Sequence, residues 1–201
     1  MHSRILTDTL REIRKTLSRF LSLLLLSALA VAFVAGLRTT APDMKYSADA
    51  YYDAHSLMDV RVLSTLGLSR DDIAALAAQP GVAAAEGSYT VDAILYAGDA
   101  DIIVKLCSLS QMDINSPELC TGRLPRQADE CLVEPALFSS MGLSLGDSIT
   151  LDTGTGDYAD ALATDTFTVV GTAHSPLYVS VERGTSSLGT GRVAAFVLLP
   201  M

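Results

Sequence analysis

Eighteen consecutive residues, Phe20–Leu37 (FLSLLLLSALAVAFVAGL), carry no charge. As an α-helix they reach about 27 Å, close to the roughly 30 Å hydrocarbon thickness of a bilayer. Arg19 and Arg38 mark the two ends. A core helix of a soluble domain shows a polar face. Here the polar members are Ser22 and Ser27, whose hydroxyls can bond back to their own helix carbonyls. The run divides the chain into a basic head (1–19), a membrane-crossing helix (20–37) and an acidic body (38–201).

Charge predicts the orientation. The head carries Arg4, Arg11, Arg14, Lys15 and Arg19 against Asp8 and Glu12, a net of +3, and the body carries −12. Lys and Arg beside a membrane span stay cytoplasmic, which puts the head inside and the body outside. The competing reading is a signal peptide cleaved after Ala30-Val31-Ala32. The head is long for a leader, and the apolar run continues past that box, so a retained anchor is the reading adopted. Ala28, Ala32 and Gly36, spaced by four, make a stripe of small residues that another membrane helix can approach closely. Within the head, Leu6, Leu10, Ile13 and Leu17 fall on one helical face with Arg11, Arg14 and Lys15 off it. Such a helix suits the cytoplasmic leaflet.

The body is long enough for one ordinary domain or two smaller units, divided at about 57–112 and 113–201. Pro42 is expected to stop the membrane helix. Leu57–Ser64 alternates apolar and polar residues and reads as a half-buried strand. Ser69 caps a helix over Arg70–Gln79, with Asp71 and Asp72 in its first turn. Val82–Glu86, Tyr89–Tyr96 and Ile102–Leu109 read as strands, with Gly98-Asp99 as a turn. The first half is thus a small α+β unit with an antiparallel sheet. After a loop at Asn115–Pro125 come a strand (Glu130–Val133), a helix opened by Pro135 (Pro135–Met141), and strands at Ser148–Leu151, Phe167–Gly171 and Arg192–Leu199. The fold class is α+β, with one N-terminal transmembrane helix followed by mixed small sheets and short helices.

Much chemistry is excluded. A net charge of −9 offers no basic stripe for nucleic acid. Gly184 and Gly189 have the spacing of a phosphate loop, but Thr190-Gly191 follow instead of Lys and Ser/Thr. Ser186 has Gly184 before it but Leu188 after it, so it is no nucleophile elbow. His55 and His174 lack a supporting triad motif. The loop with Asp157, Asp160 and Asp165 lacks the residue order of a calcium loop. No metal or cofactor is expected. Cys107, Cys120 and Cys131 are an odd set without CxxC spacing; Cys120 and Cys131 can bridge a short loop, and free buried thiols are the alternative.

Two stretches carry a resemblance. Gly122-Arg123-Leu124-Pro125, then Glu130-Cys131-Leu132-Val133, then Leu143–Asp147 with Ser148–Leu151, resemble the GRxP…E…LGLKxGDxIxL pattern. That pattern belongs to the extracytoplasmic (MacB-like periplasmic core) domain of FtsX-like, MacB-like ABC transporter permeases. Thr168–Gly171, Ser175–Tyr178 and Glu182–Gly189 resemble the segment that follows in permeases of Gram-positive bacteria. The resemblance implies a non-enzymatic membrane subunit working beside a cytoplasmic ABC ATPase subunit and a second permease copy. ATP-driven motion would pass to the domain outside. It gives structural rather than catalytic roles to Gly122, Arg123, Pro125, Glu130, Gly146, Asp147, Gly171, Ser175, Pro176, Arg183, Gly184 and Gly189. The family carries further membrane helices after this domain, so the chain reads as an N-terminal fragment or a truncated product. A stand-alone anchored extracellular binding protein is the rival reading. On its own terms, Ser175–Gly191 reads as an ordered loop: its glycines permit positive φ, and Arg183 offers a planar fork for carbonyls or a carboxylate.

Overall fold

The computed structural model describes residues 11, 14–97, 100–154, 162, 164–180 and 182–200. Leu6, Leu10 and Ile13 of the head stripe, the Gly98-Asp99 turn, and Asp157 and Asp160 lie outside the described residues. The chain forms two compact units, Met1–Ala50 and Tyr51–Met201. The architecture is α+β: a long apolar helix, then a mixed sheet with short helices.

Helix α1, Leu17–Ala54, is long and apolar enough to cross a membrane. It buries none of its residues. Ser22 Oγ donates to the Ser18 carbonyl (2.8 Å), and Thr40 Oγ1 to that of Gly36 (2.8 Å). Pro42 does not stop it, contrary to the sequence expectation. An interior proline removes one N–H donor at about 3 kcal/mol. The twelve residues beyond it (DMKYSADAYYDA) include three alanines and keep propagating the helix once it is nucleated.

The body is built on one sheet that closes on itself. Its strands are β1 Thr90–Ala97, β2 Ala100–Ser108, β3 Glu118–Gly122, β4 Glu130–Val133, β5 Ser148–Asp152, β6 Thr166–His174 and β7 Ala195–Leu199. Neighbours run β6-β4-β7-β2-β1-β5, and β5 pairs back to β6. The result is a six-stranded barrel with β3 as a spur on β6. Pairing of β2 with β7 and of β4 with β6 is parallel; the rest is antiparallel. Alternate residues of the six barrel strands fill the interior: Leu95, Val104, Leu106, Cys131, Val133, Ile149, Leu151, Phe167, Val169 and Val197. Helix α3, Pro135–Ser140, adds Leu137 to this core, with Phe138 and Met141 packed against it. Each large apolar side chain buried there stabilises the fold by about 1.5–3 kcal/mol.

A second apolar cluster lies on the opposite face: Cys107, Leu132, Ala173, Phe196 and Leu198, with Leu109 and Tyr178 packed on it. Strands β4 and β7 are therefore buried on both faces along their whole length. This explains why ECLV and AFVLL read as unbroken runs rather than alternations.

Three local expectations are corrected. Leu57–Ser64 and Val82–Glu86 are not strands, and β3 occupies the expected Asn115–Pro125 loop. The sheet is mixed, because β2 and β1 of the first half pair with β7 and β5 of the second. Helix α2, Arg70–Ala77, forms where expected but ends before Gln79. Ser69 and Asp72 close a capping box at its start, with Ser69 N donating to Asp72 Oδ2 at 2.8 Å.

Candidate functional site

The two glutamates that bracket β4, Glu130 and Glu134, are both buried carboxylates, and each is gripped by one arginine. Arg123 donates through Nη1 to Glu130 Oε2 (2.7 Å) and through Nη2 to Oε1 (2.5 Å). The turn containing Pro125 brings Arg126 N (2.6 Å) and Gln127 N (3.3 Å) onto Glu130 Oε2. Chiefly through the Arg123 hydrogen bonds, then the Arg126 N–H, the Glu130 carboxyl is lowered to about 2. The same contact raises Arg123.

Arg123 reaches Glu130 because β3 and β6 run unusually close. A Cβ on Gly122 (φ +76°) would sit 2.2 Å from the Val170 carbonyl oxygen, and one on Gly171 would sit 2.6 Å from that of Thr121. Only glycines permit this approach. Each strand of this crossing also carries an extra residue, at Cys120 in β3 and at Val170 in β6 opposite β4. Gly146 (φ +96°) and Asp147 form the turn before β5. Gly146 N donates to the Val169 carbonyl (2.8 Å), Val169 N donates to that of Asp147 (2.8 Å), and Ser144 N donates to Asp147 Oδ2 (2.8 Å).

The second grip lies at the other end of β4. Arg183 donates through Nε (3.2 Å) and Nη2 (2.5 Å) to Glu134, which also accepts from Phe196 N (3.3 Å). Both side chains are nearly enclosed, at 12% and 7% exposure. The guanidinium carbon lies 5.9 Å from the ring centres of Tyr178 and Phe196, which stack at 5.0 Å. Arg183 Nη1 is buried and has no hydrogen-bond partner among the described residues. Ser175 caps the turn at Pro176–Tyr178, its Oγ accepting from Leu177 N at 3.3 Å. That turn brings Tyr178 Oη within 3.5 Å of Cys107 Sγ. Gly184 (φ +101°) and Gly189 (φ +46°) carry the chain through a hairpin whose Thr185 and Arg192 form an antiparallel bridge.

Most of the motif residues thus gather around β4 and β6; Gly189 lies against Ile103 of β2, Gly184 accepts from Val193 N, and Ala28, Ala32 and Gly36 form an exposed stripe along α1. Sequence reasoning missed Glu134. Its signal was its place directly before Pro135, where a helix cap is expected; the side chain makes no cap bond and turns to Arg183 instead. All three cysteines are free. Burial raises Cys107 and pushes Cys131 up to about 12, so neither is a ready nucleophile. Tyr178 is also raised, first by burial. His55 Nδ1 is engaged by the Ser116 carbonyl (2.9 Å), and Ser186 Oγ by Leu188 N (3.1 Å). A shallow depression of about 380 Å³ lies beside the Asp92–Lys105 ion pair (2.5 Å), away from both grips.

No family model matches the sequence, and no curated protein matches it. Among solved structures, the chain is similar to the crystal structure of the extracellular domain of the noncanonic ABC-type transporter YknZ from Gram-positive bacteria. The two share 14% identity at a TM-score of 0.43, covering 68% of this chain and 64% of that one. The chain therefore spans less than two thirds of that domain.

Proposed function

We propose that this chain belongs to a membrane permease subunit of an ABC transporter. Residues 1–19 lie in the cytoplasm, 20–37 cross the membrane, and the body (38–201) works outside. There it transmits ATP-driven motion or handles substrate, while ATP is hydrolysed on a separate subunit. The observation that carries this reading is the ordered motif set behind a helix of membrane-crossing length. Gly122, Arg123 and Glu130 interlock with Gly171, and the Gly146-Asp147 turn is bonded to Val169 of the same strand. Such residues build a stiff body whose charges are consumed by one another, which suits the transfer of motion better than bond-breaking chemistry.

Two measurements test it. The tagged full chain, solubilised from its own membrane, is expected to bring with it a subunit that hydrolyses ATP; purification without any ATPase activity would overturn the transporter reading. The exposed thiol of Cys120 reports orientation. A membrane-impermeant maleimide is expected to label it in intact cells. Labelling only after lysis would reverse the topology, and a mature N-terminus at Phe33 would remove the anchor.

A further inference from the structure

The hairpin after Arg183 carries the run from Gly184 to Gly189, and neither grip uses it. It is nonetheless well fixed. Ser186 N donates to the Gly191 carbonyl (3.0 Å), Gly191 N to that of Leu188 (2.9 Å), and Leu188 N to Ser186 Oγ (3.1 Å). Its tip is seated on the barrel. A Cβ on Gly154 (φ +70°) would lie 2.8 Å from Leu188 Cδ2, and one on Gly189 would lie 3.1 Å from Ile103 Cδ1. This seat makes Ser187 and Leu188 one wall of the depression of about 380 Å³. The outer face of β1 and β2 supplies Thr90, Asp92 and Lys105 to the same depression. Asp92 and Lys105 are direct cross-strand partners, 22% and 20% exposed. Lys105 Nζ has three N–H donors and gives one to Asp92 Oδ1 (2.5 Å). Its other two donors and Asp92 Oδ2 bond to none of the described residues.

We infer that this depression binds a saccharide by two adjacent hydroxyls of one sugar ring. A vicinal diol presents two groups side by side, each able to donate and to accept. One hydroxyl donates to Asp92 Oδ2 while its neighbour accepts from Lys105 Nζ, and the ion pair stays intact. Leu188 supplies an apolar wall for the C–H face of the ring, and Thr90 and Ser187 add hydroxyls at the exposed rim. The charges select against other ligands. The pair is internally neutral, so an anion that approaches Lys105 also meets Asp92, and a cation the reverse. A zwitterion has to pull the pair apart to use it. A neutral polyol serves both groups and strands neither. The volume is at the small end of the roughly 300–1,000 Å³ of ligand sites, which suits a single ring. Wall and floor are already fixed by the hairpin bonds and the strand pairing, so little ordering is spent on binding. The inference stands apart from the permease reading, since it needs neither an ATPase nor a transported substrate.

The test uses the full chain in micelles of a detergent without a sugar headgroup, read by saturation-transfer difference NMR. The probes are D-glucose, D-galactose, D-mannose and N-acetylglucosamine, with the tetramers of glucose and of N-acetylglucosamine. At least one is expected to bind with a Kd in the millimolar range. A tetramer that binds at least tenfold tighter than its monomer marks the end of a glycan as the ligand, and equal binding marks a free sugar; either supports the inference. Glycine and inorganic phosphate, each added at the concentration of the sugar, are expected to leave its signal in place. Asp92→Leu with Lys105→Met removes both charges together and is expected to abolish the signal. Ser187→Ala, at the rim, is expected to weaken binding at least threefold without moving the melting temperature, and it decides the matter if the paired variant fails to fold. Arg192→Ala, in the separate depression beside Asp101, is expected to bind as the parent does. No signal from any sugar overturns the inference. So does displacement by glycine or phosphate, or sugar binding that survives either the paired variant or Ser187→Ala.

Discussion

Replacing Arg183 by alanine removes the partner of a carboxylate that sits 7% exposed behind β4. Glu134 would keep one hydrogen bond, from Phe196 N at 3.3 Å, and lose the two from the guanidinium. Breaking a buried ion pair from one side typically costs about 3–5 kcal/mol. A second route gives a similar ceiling. The stranded carboxylate can escape by taking up a proton, which for an ordinary glutamic acid at pH 7 costs about 3.7 kcal/mol. A loss of about 3–4 kcal/mol lowers the melting temperature of a body this size by about 6–16 °C. The chain has seven tyrosines and no tryptophan, so near-ultraviolet circular dichroism of the full chain in detergent is the suitable readout. The control is Arg183→Met with Glu134→Leu. Replacing both charges by apolar groups of similar volume is often neutral or stabilising, so the double variant is expected to melt near the parent. Should Arg183→Ala melt within 0.5 kcal/mol of the parent, a threshold set by the usual scatter of surface substitutions, the buried-charge argument is refuted. Should the double variant be as unstable as the single, the loss is one of packing against Tyr178 and Phe196 rather than of charge.

Three further outcomes follow from the geometry. Gly122→Ala drives a methyl to 2.2 Å from a backbone oxygen and is expected to cost about 1–3 kcal/mol; Gly142→Ala, with open space at its Cβ, is expected to cost less, and equal melts for the two would refute the close-crossing account. Glu130 is lowered in the folded state to about 2 from the ordinary 4.5, so the unfolded chain binds more protons between those values; the contribution of the Arg123–Glu130 grip is fully present above about 4.5 and is lost as pH falls through 2. Glu130→Gln should flatten that acid limb of a stability–pH profile, and an unchanged limb would count against the grip. Finally, a small thiol reagent at pH 8 is expected to modify Cys120 quickly and Cys107 and Cys131 only after unfolding, as read by mass spectrometry.

Much of this body is legible in the sequence because local signals and burial agree. Strand β5 alternates buried and exposed residues as SITLD suggests, and α2 begins at the Ser69 box. The misses share a cause: they depend on partners far away in the chain. β3 is exposed at every position and carries no periodic signal; it is a strand because β6 pairs with it. Leu57–Ser64 has the alternation but pairs with no strand among the described residues. The fork offered by Arg183 was legible, whereas its carboxylate, forty-nine residues away, was not. The pairing of β5 with β6 that closes the barrel, and the parallel pairings of β2 with β7 and of β4 with β6, likewise join segments far apart in the chain.

Strand β6 carries a consequence for the order in which the body assembles. Its nine residues pair with β5 near one end, with β4 in the middle and with β3 at the other end. The hairpin of β1 and β2 can form as soon as its residues are made, but a lone hairpin is marginal in water. Its remaining neighbours, β5 and β7, come much later, and β7 must slot between β2 and β4. Synthesis therefore runs almost to residue 199 before the apolar rows of the interior can be sealed. A topology so rich in non-local pairing folds in milliseconds to seconds rather than microseconds. Throughout that interval the nascent body shows open strand edges, so a chaperone that shields them is expected to raise its yield more than one that acts on the finished barrel.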